Sequence, residues 1–529
     1  MRKRFPASLL QIHYHDRLGG VRQVMSEYST TFRRIAGIDA PNYWLCSRSG
    51  EWEYATSTPI ALPEADYHTF RTRQSYQRWV ERLAGRLLQL LFTLPLQFPA
   101  VIIGHNLNLG KNPALAAAFA HCARTLGGDG GRYRFFLMMH DFAEAGRIDL
   151  LSILRRITEQ GVDIYRELYA SEAPVHYIVP DRFSARLSGL KESSITILPH
   201  PVRKTTSLSK DISADAVRDE LRLLALRDGF HFDPDRRLYC YPSRMIYRKN
   251  ILEALLIATV LLEGSLVTGA CGLARADRRR VEVARHIARK NRLSFVIDPS
   301  RMPLFGTAVS KTGNMNPFIL LYHSADVVIT TSIAEGFGYS LIEPWLYGKP
   351  VIGRRPAGAS LLPGMHRIPF YECLPVPASW VSIQECYERF AATCNLTFGK
   401  RYVSMRSFTA LFVKNGTVDF GILSDRQQDS IIRRVLRSDR DRSDLLALLE
   451  RPLPGWPGNG CITRSAGEEI ERIAAIISRW SDRRFGPSFV NCLSRRPFPA
   501  SSAIWYRRIA AYYRKPDNFF PLGAVPRSQ

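Results

Sequence analysis

The segment TTSIAEGFGYSLIEPWLYGKPVIG, residues 330–353, carries Glu335 in a loop with Gly336, Phe337 and Gly338, and Glu343 eight residues further on. The apolar run at 327–330 predicts a strand before this loop, and the pattern over 341–346 predicts a helix after it. Ligands of open α/β sheets lie beyond the carboxyl ends of the strands, where a following helix start offers N–H groups to an anion. Glu335 would face such a ligand from the loop, and Glu343 from about two turns into the helix. Two carboxylates so placed have the chemistry to grip two hydroxyl-bearing parts of one molecule.

A second constellation is YPSRMIYRKN, residues 241–250, directly after a predicted strand at 238–241. Arg244 and Lys249 place two fixed cations at that strand end, where they can compensate the charge of an anionic ligand. In HYHDRLGGVRQV, residues 13–24, Gly19-Gly20 follows the first predicted strand and precedes a helix, which permits close backbone approach to a ligand. The run FFLMMHDFAEAGR ends a strand at His140-Asp141, and His13, His15, Asp16, His105 and Asn106 occupy other strand ends of the first half.

The element EGFGYSLIE, the Arg-x4-Lys pair, the early glycine pair and the strand-end histidine together resemble the retaining glycosyltransferases of GT-B architecture, in particular the large family 4 group with its E-x7-E motif. The order Gly20, His140, Arg244, Lys249, Glu335, Glu343 follows the order of that family, and recognisable segments run from about residue 9 to 353. The resemblance implies an α/β protein of two Rossmann-like, doubly wound parallel-sheet domains facing a cleft. It implies a retaining glycosyltransferase, a hexosyltransferase that moves a hexose from a nucleotide-diphosphate sugar, UDP- or GDP-linked, to an acceptor hydroxyl on a glycan, lipid or small molecule.

It also implies the roles. Glu335, His140, Arg244 and Lys249 are the expected catalytic group, with no covalent nucleophile. Gly19, Gly20, Arg244, Lys249, Glu335, Gly336, Phe337, Gly338 and Glu343 would bind the donor, Glu343 through the nucleotide ribose. His13, His15, Asp16, His105 and Asn106 would bind the acceptor. No cofactor and no metal is expected. The lead-out ITILPHPV, residues 195–202, carries His200 where the family usually has Asn.

These residues must be positioned by a chain of 529 residues, 46% hydrophobic and 11% aromatic, which is too apolar for a disordered polymer. Short apolar runs alternate with amphipathic patterns, the signature of βαβ units and parallel sheets. Strands are expected at 9–13, 100–104, 135–140, 175–179 and 195–198, and again at 238–241, 266–268, 295–297, 327–330 and 350–353. Helices are expected at 21–36, 113–124 and 182–190, then at 251–262, 278–290, 317–323 and 341–346. The expected division is an acceptor domain at 1–205, a connection at 206–235, a nucleotide-sugar domain at 236–465 and terminal helices at 466–529 that cross back to the first domain. Beyond 354 the pattern is irregular to about 415, read as an insertion at 359–415, and turns helical at 425–449 and 466–480.

Lys+Arg number 73 against 48 Asp+Glu, a net charge of +25, so anionic partners are favoured. The helix 72–89, with Arg73, Arg78, Arg82 and Arg86, suits peripheral contact with an anionic membrane surface. Nucleic acid is disfavoured, because the arginine cluster at 433–442 has no accompanying recognition motif. Nine scattered cysteines without C-x-x-C, no secretory pattern and an interrupted apolar stretch at 87–103 point to the cytoplasm, with or without attachment to the inner membrane face.

Competing motifs fail on spacing. GHNLNLGKN lacks Walker geometry, no Gly-x-Gly-x-x-Gly follows the first strand, and the D-x-D strings 233–235 and 439–441 fall in a loop and a charged helix. The alternatives that stay open are a non-catalytic GT-B-like sugar-nucleotide or anion-binding protein and a sugar-nucleotide epimerase of the same architecture.

Overall fold

The computed structural model describes residues 5–17, 19–48, 57–128, 131–145, 147–188, 190–204, 212–272, 275–305, 318–335, 337–356, 370–398, 404–450, 464–495, 497 and 509. The chain divides into two compact units, one built on Met1–Pro201 with Arg479–Phe519 and one built on Val202–Asn395 with Lys400–Ser478.

The first unit is a seven-stranded sheet of β1 (Ser8–Ile12), β2 (Asn42–Cys46), β3 (Thr58–Ala61), β4 (Ala100–His105), β5 (Tyr133–Met138), β6 (Val175–Val179) and β7 (Ile195–Ile197). The order is β3-β2-β1-β4-β5-β6-β7 with every pairing parallel. Central strands such as AVIIGH and YRFFLM are buried along their whole length, as strands covered by helices on both faces must be. Leu10, Ile102, Phe119, Phe135 and Tyr177 share one core cluster. β2 and β3 were not expected. β3 is an exposed edge strand containing Pro59, tolerated because an edge needs fewer ladder donors. The helix Phe485–Leu493 packs here, its Phe485 and Phe489 rings 5.6 and 5.0 Å from Tyr28.

The helix Arg73–Thr93 begins at Thr72, whose side chain accepts the Ser75 N–H, and buries Tyr76, Leu83, Leu87 and Leu91. Arg73, Arg78, Arg82 and Arg86 stay exposed on it. Among the described residues no helix is long and apolar enough to cross a membrane.

The second unit holds a six-stranded parallel sheet of β8 (Leu238–Tyr241), β9 (Ser265–Thr268), β10 (Phe295–Ile297), β11 (Val327–Thr330), β12 (Val351–Arg354) and β13 (Phe370–Tyr371), in the order β10-β9-β8-β11-β12-β13. Numbered within itself, each sheet begins third-second-first-fourth-fifth-sixth, the doubly wound Rossmann order. The winding reverses between β1 and β4 in one unit and between β8 and β11 in the other, which are the places where such sheets bind ligands. The α/β class with two Rossmann-like parallel sheets is the one expected from the sequence.

Several expectations require correction. The connection at 206–235 contains a helix, Ala214–Arg227, capped by Ser213 and burying Val217, Leu221, Leu224 and Ala225; its dense charge hid the apolar stripe. The stretch read as irregular after 354 holds β13, a three-stranded antiparallel sheet of β14 (Pro375–Pro377), β15 (Val413–Lys414) and β16 (Thr417–Asp419), and the helices Ile383–Phe398 and Met405–Phe412. Residues 357–369 of the proposed insertion lie outside the described residues. The helix expected at 341–346 is a single turn, Tyr339–Ile342, followed by a tighter turn over Glu343–Tyr347, because Pro344 supplies no N–H to continue the ladder. Glu343 is thus one turn from Gly338, not two. The helix expected over 251–262 is α-helical only at Ile251–Leu255 and widens to a π-turn at Leu256–Leu261.

Candidate active site

At the winding reversal of the second unit, the loop after β8 and the loop after β11 are stitched together by main-chain contacts. The Thr331 hydroxyl lies 3.0 Å from both the Lys249 and Asn250 carbonyls, and the Tyr241 hydroxyl donates to the Lys249 carbonyl at 2.7 Å. The Ile333 N–H donates to the Arg248 carbonyl at 2.9 Å, and Arg248 Nη1 returns a bond to the Ala334 carbonyl at 2.8 Å. This stitching fixes the backbone on either side of Lys249 and Glu335.

The Lys249 ammonium is ion-paired to Glu335 Oε1. Their side chains are 9% and 7% exposed, so the pair is largely removed from water. Arg248 Nη1 stands 3.8 Å from Glu335 Oε2 and contributes a second cation that the sequence reading did not single out. Its signal was present in the run Arg248-Lys249, but one half of the run looks like an ordinary surface charge. Burial, helped by the neighbouring charges of Arg248 and Arg244, pushes Lys249 down to about 8 against the opposing pull of Glu335. Burial acts to raise the Glu335 carboxyl, yet Lys249 and Arg248 outweigh it and hold the group below its ordinary range.

Arg244 is exposed on the same loop. Glu343 is buried and accepts from the Tyr322 hydroxyl at 3.2 Å. Phe337 is buried with its ring 5.2 Å from Tyr339, and Gly338 has φ +81°, a left-handed conformation that glycine adopts without strain. Gly336 lies outside the described residues.

The first unit gathers its candidates at the reversal between β1 and β4. Gly19 and Gly20 are exposed, and Gly20 opens the helix Gly20–Ala36. Asn106, at φ 57°, accepts the His140 N–H through Oδ1 at 2.9 Å and so fixes the turn after β5. His13 donates from Nδ1 to the His105 carbonyl at 2.9 Å, Asp16 is buried, and His15 Nε2 is 2.8 Å from the Tyr67 hydroxyl.

A row of side chains that no sequence pattern announced runs through this unit. His200 Nε2 is 2.9 Å from His140 Nδ1, His140 Nε2 is 3.1 Å from His105 Nδ1, and His105 Nε2 is 3.0 Å from Gln11 Oε1. Gln11 gives its amide hydrogens to the Met25 carbonyl and Ser29 Oγ, so its Oε1 is the acceptor and His105 the donor. The ring hydrogens of His105, His140 and His200 therefore all sit on Nε2. His200 is the terminal member of the row, and both ring nitrogens of His140 point at other histidines.

Burial lowers His140 to about 4, and burial with mutual repulsion holds His13, His105 and His200 well below 6.5. These bases are neutral when folded and take up protons below about 6.5 when unfolded. The stability they contribute is complete above about 6.5 and is lost as pH falls toward 4, and His140 alone accounts for about 3 kcal/mol. Urea midpoints measured from pH 7.5 to 4.5 should fall across this window, and a flat profile there would contradict the assignment.

Among the described residues no group of three or more His, Cys, Asp or Glu is placed to hold a metal ion. The two D-x-D strings serve local structure. Asp233 accepts the Asp235 N–H at 3.1 Å, and Asp441 pairs with Arg434 at 3.0 Å.

No family model matches the chain. Mannosylglucosyl-3-phosphoglycerate synthase of Petrotoga mobilis is 25% identical over 301 residues, 56% of this chain and 54% of that protein. The chain thus spans about half the length of the curated relative it matches. Similar solved structures include the sucrose-phosphate synthase of Thermosynechococcus elongatus, with TM-score 0.46 and 13% identity over 84% of this chain and 98% of that one. A glycosyltransferase of Rickettsia africae has TM-score 0.44 and 12% identity over 83% and 99% of the respective chains.

Proposed function

We propose that this protein is a retaining GT-B glycosyltransferase of the family 4 type that moves a hexose from a UDP- or GDP-sugar to an acceptor hydroxyl. The observation that carries the reading is the desolvated Lys249–Glu335 pair, flanked by Arg248 and Arg244, at the winding reversal of the second sheet. A diphosphate that leaves a sugar builds up negative charge, and cations already held at one loop, Lys249 away from water and Arg244 at its exposed edge, stabilise it with little reorganisation. Lys249 and Arg244 take that role, with Arg248 added by the geometry.

Glu335 hydrogen-bonds donor-sugar hydroxyls and orients Lys249, and Glu343 holds the nucleotide ribose. In the first unit Gly19 and Gly20 are the candidates for donor binding and His13, His15, Asp16 and Asn106 for acceptor binding, whereas the ring nitrogens of His140 and His105, read from the sequence as ligand-binding, are engaged within the histidine row. The relative's name adds phosphorylated glycerate glycosides to the acceptors worth screening, which suits a chain of net charge +25.

Thermal unfolding with UDP, GDP and ADP, each alone and as its sugar conjugates, tests the donor half. One nucleotide at 100 times its dissociation constant should add about 2.7 kcal/mol. The Arg244→Ala/Lys249→Ala variant should lose that shift. No shift with any nucleotide overturns the reading.

A further inference from the structure

Behind the cation loop lies a buried polar chain that the reaction chemistry above does not use. Asn250 follows Lys249 directly, sits at φ 49° and is fully buried. Its Nδ2 donates to Glu253 Oε2 at 2.5 Å, and its Oδ1 accepts from Arg280 at 3.0 Å and Gln428 at 3.2 Å. Glu253, also fully buried, receives Arg354 Nε at 3.0 Å, Arg354 Nη2 at 2.7 Å and the Tyr371 hydroxyl at 2.7 Å.

Arg354 continues the chain. Its Nη1 donates to the Glu372 carbonyl at 2.9 Å and to Asp419 Oδ2 at 2.8 Å, and its Nη2 donates to Asp419 Oδ1 at 2.7 Å. Every N–H of the guanidinium is thereby used. Asp419 ends β16 and also accepts the main-chain N–H groups of Leu374 and Gly421 at 3.0 and 3.1 Å. A side chain at Gly421 would come 2.9 Å from Arg354 Nη2, so that glycine permits the close approach. Gln428 closes the circuit by donating to the Phe420 carbonyl at 2.8 Å.

Such an arrangement is expensive to bury and specifies geometry rather than adding net stability. Its near end is the residue after Lys249, and its far end is the small antiparallel sheet whose purpose the sequence left open. We infer that the segments 370–377 and 417–428 form a positioning brace for Lys249, acting through Asp419, Arg354, Glu253 and Asn250 to hold the ammonium against Glu335. These four are positioning residues, because none is placed to touch the reacting atoms. The inference rests on the donor-site reading for its functional meaning, but the brace itself is read independently of any ligand.

The test uses Asn250→Gly, which keeps the left-handed backbone and removes only the side chain, and Asp419→Asn, which alters the far end. In each, the pH midpoint of Lys249 acylation by acetic anhydride is followed by mass spectrometry, beside the affinity for the nucleotide that shifts wild type. Both variants should move the Lys249 midpoint upward from about 8, toward the ordinary lysine value, as water reaches the ammonium. Nucleotide affinity should fall at least tenfold. A variant that unfolds is replaced by Tyr371→Phe, which removes one bond to Glu253 and should move the midpoint in the same direction by less.

A midpoint that stays or falls in the folded variants overturns the brace. If the midpoint rises while wild type binds no nucleotide diphosphate, the brace stands and the donor-site reading falls.

Discussion

Glu335→Gln should lower sugar transfer about 100-fold, on the scale of removing one preorganised electrostatic group from an active site. The substitution keeps the shape and the hydrogen-bonding oxygen, so packing is preserved. What it removes is the charge that holds Lys249 protonated against burial and against Arg248 and Arg244. Without it, Lys249 titrates below about 8, and a smaller share of it is protonated at neutral pH. In the proposed reading donor binding depends on the ammonium, so it should be strong below the Lys249 value and lost as pH rises through it.

The variant should therefore recover part of its donor affinity on acidification toward pH 6, where wild type gains little. Titration calorimetry with the nucleotide across pH 6 to 9 separates the two profiles. Superimposable profiles would remove Glu335 from this role.

Arg354→Met should cost about 3–5 kcal/mol, the penalty for leaving a buried charge without its partner. Arg354 is 3% exposed and Glu253 0%, and Asp419 loses its bidentate cation in the same step. Burial already raises the Glu253 carboxyl, with Arg354 opposing that rise, so the variant is driven to bind a proton there. The double variant Arg354→Met/Glu253→Gln removes the stranded charge and should regain a large part of the loss. Hydrogen exchange over residues 249–255 and the urea midpoint report both effects, and equal stability of single and double variants would refute the account.

Legibility followed the physics of each element. The strands at 238–241, 295–297 and 327–330 were readable to the residue, because a strand buried on both faces is an uninterrupted apolar run. β3 was missed because an exposed edge carries no such run. The helix over 341–346 was overextended because the period of apolar residues outlasted the effect of Pro344.

In the site, strand ends and resemblance to a family pointed to Lys249 and Glu335 as separate donor contacts, and their ion pair was not foreseen. Arg248 was hidden by its position next to another cation. The brace and the histidine row were invisible for a different reason. Gln11 meets His105 across 94 positions and Arg354 meets Glu253 across 101, and no local pattern encodes contacts of that span.

The histidine row has one further property. His200 donates to His140, His140 and His105 each accept from one neighbour and donate to the next, and Gln11 is pinned by Met25 and Ser29. No single imidazole can turn over without setting two hydrogens or two lone pairs face to face at a junction. The three rings behave as one polarised wire whose sense is dictated by Gln11 on β1, so no ring changes tautomer by itself while that amide keeps its partners.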